Sequence, residues 1–232
     1  MPRFGLRSLL LFMVLCTIPL TWWTWTTLET RRQTRVIERL LPYGAQAGWR
    51  NGRVVQLVFV GDAFQDRALS ELGALPNLRR VVLLHTNINA GGLTALSKLP
   101  LEELRIMQAP ALHPTSGDQD LGNSNSDKTV RWPATLQSLW LVEAQLQDAD
   151  LIGLTKIPQL SSLSLIGSPI TDAAVPTLAK LQQLQELFVG GTRLTAAGIA
   201  ELKRELPKAR LDQDRPVQLP AESRDDAFPP EE

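Results

Sequence analysis

The sequence is poor in the side chains that most catalytic and metal sites require. It has one cysteine, Cys16, so neither an intrachain disulfide nor a cysteine-based metal site can form. Only two histidines are present, His85 and His113, and neither has an evident carboxylate and nucleophile partner. No Gly-x-x-x-x-Gly-Lys phosphate loop occurs. These shortages argue against an enzyme, and we expect no catalytic residue, metal or cofactor.

The sequence also lacks an excess of either charge and has few aromatic side chains. Lys+Arg and Asp+Glu number 24 each, which gives a formal net charge of zero, and aromatics make up 6%. A basic surface for nucleic acid is not visible in these totals, so we expect no nucleic-acid partner. The hydrophobic fraction of 44% is that of an ordinary folded protein.

One long uncharged run lies near the N-terminus. Residues 8–28 carry no charged side chain and follow a basic region at residues 1–7. As a helix the run is long enough to cross the roughly 30 Å hydrocarbon core of a bilayer. Trp22, Trp23 and Trp25 cluster near its end, and indole rings favour the membrane interface. The pattern predicts a transmembrane signal-anchor helix, with the lipid bilayer as its partner.

A cleaved secretory signal is the alternative to an anchor. No small-x-small cleavage site is visible before Trp25, and Leu15 is too large for the residue that precedes a lipoprotein cysteine. We therefore favour a retained anchor over a cleaved signal or a buried soluble helix. Arginines flank both ends of the run, so their count leaves the side of the membrane that carries the rest of the chain undetermined.

A repeat of about 24 residues organises the rest of the chain. The motif Leu-x-x-Leu-x-Leu at residues 136–141 recurs 24 residues later at 160–165. Related motifs begin at residues 54, 78, 101 and 184. Each is followed by apolar residues at helical spacing, and prolines close most of the units. Units of strand, loop, short helix and turn indicate a solenoid in which neighbours share one core.

We therefore predict an α/β solenoid over residues 54–211, a short arc of about six strand–loop–helix units with a parallel concave sheet. Residues 29–53 are predicted to be a linker and N-terminal cap, with a short helix from Arg32 to Leu41 that Pro42 stops. Its apolar side, expected to cover the first strand, consists of Val36, Ile37, Leu40 and Leu41. Four side chains are suited to cap helix N-termini, namely Asp66, Asp148, Asp172 and Thr195.

Two segments depart from the repeat. Residues 110–133 form a polar, turn-rich insertion, for which we predict a disordered loop. Its acidic and amide side chains lack the spacing of a calcium-binding loop, so no metal site is predicted there. The tail, residues 212–232, is acidic and proline-rich, a composition typical of disorder.

The repeated motif resembles that of leucine-rich-repeat proteins over about two-thirds of the chain. Residues 167–173 (GSPITDA) and 191–195 (GTRLT) are similar to a bacterial subtype abundant in planctomycetes, which often carries an N-terminal anchor like residues 7–11 (RSLLL). The resemblance implies protein–protein interaction at the concave sheet and no reaction. Other residues replace the asparagine of the commonest repeat type: Asp62, Thr86, Ala109, Ala144, Ser168 and Thr192.

Function is expected on the concave face, because alternation along each strand turns three positions of every unit towards it. We expect these positions to form an exposed apolar stripe, and a large exposed apolar patch marks an interaction site. The candidate partner-binding residues are Trp140, Phe188, Arg105, Leu84, Val82, Met107, Val142 and Ile166. Trp140, Phe188, Arg105 and Leu84 are expected to contribute most.

The predicted function is a membrane-tethered module that binds a protein or peptide partner. One alternative is a structural envelope component without a specific ligand, and a remote one is an enzyme with a site in the 110–133 insertion. A further alternative is that the insertion, the tail or the N-terminal segment covers the concave stripe, and another is that its residues only satisfy strand propensity.

Overall fold

A computed structural model describes residues 30–61, 63–88, 90–109 and 131–213. The predicted anchor at residues 8–28, most of the 110–133 insertion and nearly all of the tail lie outside these described residues. Within the described ranges, no helix is long and apolar enough to cross a membrane.

The described residues form one sheet whose strands follow chain order. The strands are β1 (Ala45–Arg50), β2 (Arg53–Val60), β3 (Arg80–Leu84), β4 (Glu103–Met107), β5 (Ser138–Val142), β6 (Ser162–Ser164), β7 (Glu186–Phe188) and β8 (Arg210–Asp212). The α-helices are α1 (30–40), α2 (Asp66–Leu72), α3 (Ala90–Leu96), α4 (Val175–Leu178) and α5 (Ala196–Glu205). The 3₁₀ segments are Leu41–Tyr43, Asp148–Lys156 and Asp172–Ala174.

Strands β2 to β8 run parallel, and equivalent residues of successive units lie side by side. One such row consists of Leu57, Val81, Leu104, Leu139, Leu163, Leu187 and Leu211. These side chains pack with the apolar side chains of the helical connections in one continuous core. No unit can bury its leucines alone, so stacking is what stabilises the fold. The prediction of a leucine-rich-repeat arc is confirmed.

The sheet continues across the insertion. Glu103 of β4 pairs with Ser138 of β5, 35 positions later, whereas Ser138 pairs with Ser162 of β6 after the regular 24. Where the described chain resumes, Trp132 is buried in the main core and the Thr135 hydroxyl donates to the Leu101 carbonyl at 2.7 Å. The extra residues therefore leave the register of the arc intact.

The N-terminal cap differs from its prediction. The first helix does cover the arc, since Val36, Ile37 and Leu40 are buried. However, Leu41 is 57% exposed, and the chain continues through Pro42 as a 3₁₀ turn. The sequence prediction also missed β1, which pairs antiparallel with β2 and covers the open edge of the parallel sheet.

The turn between β1 and β2 explains how the cap forms. Asn51 and Gly52 have φ of +52° and +70°, the conformation that a two-residue hairpin turn requires. The Asn-Gly pair was therefore an available signal for the hairpin. At the base of this turn, the Val54 backbone N–H donates to the buried Gln33 Oε1 at 2.8 Å, which ties α1 to β2.

Two of the predicted cap residues link neighbouring units instead. Thr195 does cap α5, where its hydroxyl accepts from the Gly198 N–H at 3.2 Å. Asp172, by contrast, accepts from the Thr195 N–H at 2.8 Å and from the Thr195 hydroxyl at 2.6 Å. Asp148 accepts in the same way from Thr171 of the next unit, at 2.8 and 2.6 Å. Prediction of a cap failed because each aspartate stands one position inside its helical segment.

Asp66 also occupies the first position inside its helix, and Gln65 precedes it as the N-cap residue. At the asparagine-equivalent positions, the Ser168 hydroxyl donates to the Leu141 carbonyl at 3.3 Å and the Thr192 hydroxyl to the Val189 carbonyl at 2.8 Å. The buried hydroxyl of Thr86 has no hydrogen-bond partner. Backbone bonding by hydroxyls thus replaces asparagine in only some units.

Candidate binding surface

The sheet face opposite the helices, here called the concave face, carries three columns of side chains. The polar column, at the strand starts, comprises Gln56, Arg80, Glu103, Ser138, Ser162 and Glu186. The central column comprises Val58, Val82, Arg105, Trp140, Ser164 and Phe188. The apolar column, at the strand ends, comprises Val60, Leu84, Met107, Val142, Ile166 and Gly190.

The polar column is held by charged hydrogen bonds around Glu103. The Nε atoms of Arg80 and Arg105 donate to opposite oxygens of the Glu103 carboxylate, which is only 14% exposed. Arg80 also donates to Gln56 Oε1 at 3.1 Å. Hydrogen bonds between ionised groups are stronger and better oriented than neutral ones. They fix the Arg105 side chain beside the next strand.

Arg105, Trp140 and Phe188 form a stack at the centre of the face. The guanidinium carbon of Arg105 lies 5.0 Å from the centroid of the Trp140 ring, a cation–π distance. Trp140 in turn stacks on Phe188, with ring centroids 5.6 Å apart and an interplanar angle of 30°. The indole N–H of Trp140 donates to the Ser138 hydroxyl at 3.0 Å. Three of the four residues expected to contribute most are thus in one contiguous group.

Ser164 explains how rings from non-adjacent strands meet. Its strand, β6, lies between β5 and β7, and Ser164 is aligned with Trp140 on one side and Phe188 on the other. Two strand spacings are about 9.6 Å, so the rings have leaned together over the small serine side chain. Ser164 is fully buried, and its hydroxyl has no hydrogen-bond partner. An unsatisfied buried hydroxyl lowers stability.

The expectation of an exposed apolar stripe is wrong. Five of the candidates are between 2% and 7% exposed, namely Val82, Met107, Val142, Ile166 and Phe188. Leu84, Arg105 and Trp140 are the partly exposed ones. Met107, Val142, Ile166 and Phe188 form an apolar cluster separate from the main core, with Leu84 and Trp140 packed against it. Strands about 4.8 Å apart bring in-register side chains into contact, so neighbours cover one another.

One equivalent residue past the end of each of six strands has a left-handed backbone: it directly follows β2, β3, β4 and β5, and it lies three positions past the end of β6 and β7. Three of these residues are glycines, namely Gly61, Gly167 and Gly191, with φ of +91°, +69° and +68°. His85, Gln108 and Glu143 occupy the equivalent position in the three middle units, with φ of +55°, +55° and +53°. Side chains other than glycine in this conformation cost about 1 kcal/mol each. We call His85, Gln108 and Glu143 the rim.

The rim is exposed and borders the apolar column. Gln108 Nε2 donates to Glu143 Oε2 at 2.8 Å, and no cation of the described chain forms an ion pair with Glu143. Retained backbone strain is a marker of functional positions. Sequence reasoning missed the rim, although glycine at the equivalent position of three other units was a signal for positive φ there.

The described residues give little support for a metal site or a catalytic site. In that part of the chain, no three His, Cys, Asp or Glu side chains converge as metal ligands. His85 stands on the rim, whereas His113 lies outside the described residues. The expectation that the protein is not an enzyme stays an expectation.

Comparison with known proteins adds likeness of fold only. No family model matches the chain, and no curated protein matches it. Three similar solved structures are a protein from Bacteroides fragilis (16% identity, TM-score 0.42), TLR13 in complex with ssRNA13 (16%, 0.37) and internalin inlF from Listeria monocytogenes (18%, 0.35). In the same order, the matches cover 63%, 66% and 68% of this chain. They cover 50%, 27% and 54% of the length of those three protein chains. The leucine-rich-repeat architecture therefore rests on the chain's own repeats and parallel sheet.

Proposed function

We propose that this chain is a membrane-tethered interaction module that binds a protein or peptide partner on its concave face. The observation that carries the proposal is the stack of Arg105, Trp140 and Phe188 at the centre of that face. Trp and Arg in well-packed surroundings are the residues that most often dominate binding energy. Here both are partly exposed and both are fixed by hydrogen bonds.

Burial of the apolar cluster changes how the face would work. The buried side chains form a rigid floor, and Leu84, Trp140 and Arg105 supply the contact area above it. Arginine has five N–H donors, and in the described chain only Nε of Arg105 is engaged, by Glu103. The remaining donors suit a carbonyl or carboxylate of the partner. Fixed side chains lose little entropy on binding, which favours affinity.

The tether is the second part of the proposal. Residues 8–28 are proposed to span the bilayer, with the arc on a side that stays undetermined. Thr30, the first described residue, is already helical and comes two positions after the proposed span. With one residue between the proposed span and Thr30, we propose that the arc lies close to the membrane and binds its partner near the bilayer surface.

Selection of displayed random peptides on the full chain in lipid nanodiscs tests the binding proposal. We expect enriched peptides that bind at least about tenfold more weakly, or about 1.4 kcal/mol, when Trp140→Ala and Arg105→Ala are combined. The matched control combines Ile152→Ala and Arg204→Ala, which removes an exposed apolar and a basic side chain outside the concave columns. Failure to enrich any peptide, or equal loss in both variants, would contradict the proposal.

A structural envelope component without a specific ligand is the second candidate. The burial of five of the expected contact residues favours it, because less apolar area is left for a partner. It predicts that no peptide family is enriched and that Trp140→Ala changes only stability. The same selection therefore separates the two candidates.

A further inference from the structure

The N-terminal cap concentrates positive charge in a chain whose formal net charge is zero. Residues 30–53 contain one acidic side chain, Glu38. The arginines of the same range are Arg31, Arg32, Arg35, Arg39, Arg50 and Arg53. All of them are exposed. The even balance of the whole chain therefore hides a strongly basic surface at one end of the arc.

Hydrogen bonds bring two separate stretches of this charge together. The Thr30 hydroxyl donates to the Gly52 carbonyl at 3.3 Å, so the described start of α1 lies against the β1–β2 turn. Arg31 and Arg32 follow Thr30 directly, and Arg50 and Arg53 flank the turn. The four arginines thus belong to one end of the cap.

This cluster is not neutralised by the described chain. Arg50 and Arg53 are directly opposite across the hairpin, where like charges destabilise the pair. No carboxylate of the described residues pairs with Arg31, Arg32, Arg50 or Arg53, whereas Arg39 does pair with Glu71. On the concave face, by contrast, two arginines share one glutamate. Charge kept unpaired at this cost suits an external anionic surface.

An exposed apolar side chain accompanies the arginines, since Trp49, next to Arg50, is 38% exposed. Basic residues with tryptophan or leucine are the pattern of surfaces that lie against anionic lipid. Nucleic acid also attracts arginine. Lipid is favoured here because Thr30, where the described helix begins, comes two residues after the proposed membrane span.

We infer that Arg31, Arg32, Arg50, Arg53 and Trp49 form a docking surface for the anionic headgroups of the bilayer that holds the anchor. The inference rests on the proposed tether. Such docking would fix the orientation of the arc relative to the membrane. The turn lies at the start of β2, and all parallel strands start at the same edge of the sheet. The polar column therefore faces the membrane side, and the rim faces away from it.

A fluorescent probe at position 49 of the full chain tests this docking. The labelled protein carries Trp49→Cys with an environment-sensitive dye, and Cys16→Ser removes the one native thiol. It is inserted into nanodiscs of phosphatidylcholine alone or with about a third phosphatidylglycerol. We expect a blue shift of the dye emission only in the anionic nanodiscs, reversed by about 1 M salt, where the Debye length is about 3 Å.

Two paired variants identify the residues responsible. Arg50→Gln with Arg53→Gln is expected to abolish the blue shift, since each arginine strengthens surface binding on the order of fivefold. Arg67→Gln with Arg193→Gln removes the same charge from exposed positions that follow strand ends, on the edge that faces away from the membrane, and is expected to leave the shift intact. Circular dichroism establishes that both variants fold.

The outcomes separate the docking surface from the tether. Extraction of the chain from nanodiscs by alkaline carbonate would refute the tether and the inference with it. Two results would overturn the docking surface alone. In one, the chain stays inserted but the dye emission is identical in both lipids. In the other, both paired variants lose the blue shift equally. A larger shift on adding single-stranded DNA to neutral nanodiscs would assign the arginines to nucleic acid instead.

Discussion

Gly198 lies against the carboxylate of Asp172, so close that a Cβ at position 198 would overlap Oδ1. The contact crosses a unit boundary, because Asp172 opens one helical segment and Gly198 lies in the first turn of α5. The absence of a side chain at residue 198 is what lets Asp172 reach both the N–H and the hydroxyl of Thr195. Glycine here serves packing between units.

Gly198→Ala is therefore expected to destabilise the arc, although alanine is the better helix former by about 1 kcal/mol. Displacing Asp172 breaks two hydrogen bonds to Thr195, and we expect a net loss of about 1–2 kcal/mol in urea unfolding. The control is Gly73→Ala, because a Cβ there would have its nearest neighbour, the Ser70 carbonyl oxygen, 3.8 Å away. That variant should be neutral or slightly stabilised. Equal effects of the two changes would refute the proposed packing role.

The fall in stability at acidic pH, here called the acid limb, should depend on Asp172. The Thr195 hydroxyl and then the Thr195 backbone N–H, both donating to the carboxylate, hold the pKa of Asp172 below its ordinary value of 3.8. A carboxyl with a lowered pKa contributes stability that is present above the ordinary value and lost as pH falls through the lowered one. Asp172→Asn should flatten the fall of the thermal midpoint below about pH 4. Glu201→Gln, an exposed carboxylate loss elsewhere, serves as the charge control. An unchanged acid limb in Asp172→Asn would contradict this account.

Ser164→Ala should stabilise the protein or leave it unchanged. The substitution removes a buried hydroxyl that has no hydrogen-bond partner, worth up to about 1 kcal/mol, and keeps the space that the Trp140 and Phe188 rings occupy. Ser164→Leu should instead force the rings apart and weaken both stability and peptide binding. The two variants are compared by urea unfolding. A clear loss of stability in Ser164→Ala would mean that the hydroxyl has a bonding role.

The rim should show opposite effects on stability and binding. Glu143→Gly relieves a left-handed backbone and is expected to raise stability by up to about 1 kcal/mol, while it weakens the binding of any selected peptide that contacts the rim. Gly167→Ala is the reciprocal variant, because it introduces strain at φ +69° and places a Cβ 3.0 Å from Glu143 Cγ. It should therefore lose stability. Tight peptide binding by Glu143→Gly would remove the rim from the binding surface.

The sequence predicted the arc because the 24-residue step brings Leu139, Leu163 and Leu187 into one row, and a repeat of core residues has few other structural solutions. It did not predict β1, since Ala45–Arg50 carries little apolar patterning. Only the Asn51–Gly52 pair marked the hairpin.

Alternation along the strands correctly assigned side chains to a face but could not give their exposure. Exposure depends on lateral packing, and the closing of Trp140 and Phe188 over Ser164 involves three different strands. The strain at His85, Gln108 and Glu143 is likewise a backbone property that these three residue types do not disclose, and only the glycines at the equivalent position of other units pointed to it. Geometry between units was thus the part that the sequence could not supply.

The antiparallel strand β1 makes the two ends of the arc unequal. Because β1 occupies the edge of β2, another parallel unit cannot pair with β2 on that side, and units can be added or lost without displacing the cap only beyond β2. Such changes would lengthen or shorten the arc while the distance from the cap to the first unit stays constant. The cap therefore acts as a fixed end of the arc. A change in the number of units can move a recognition site relative to this end without altering the cap.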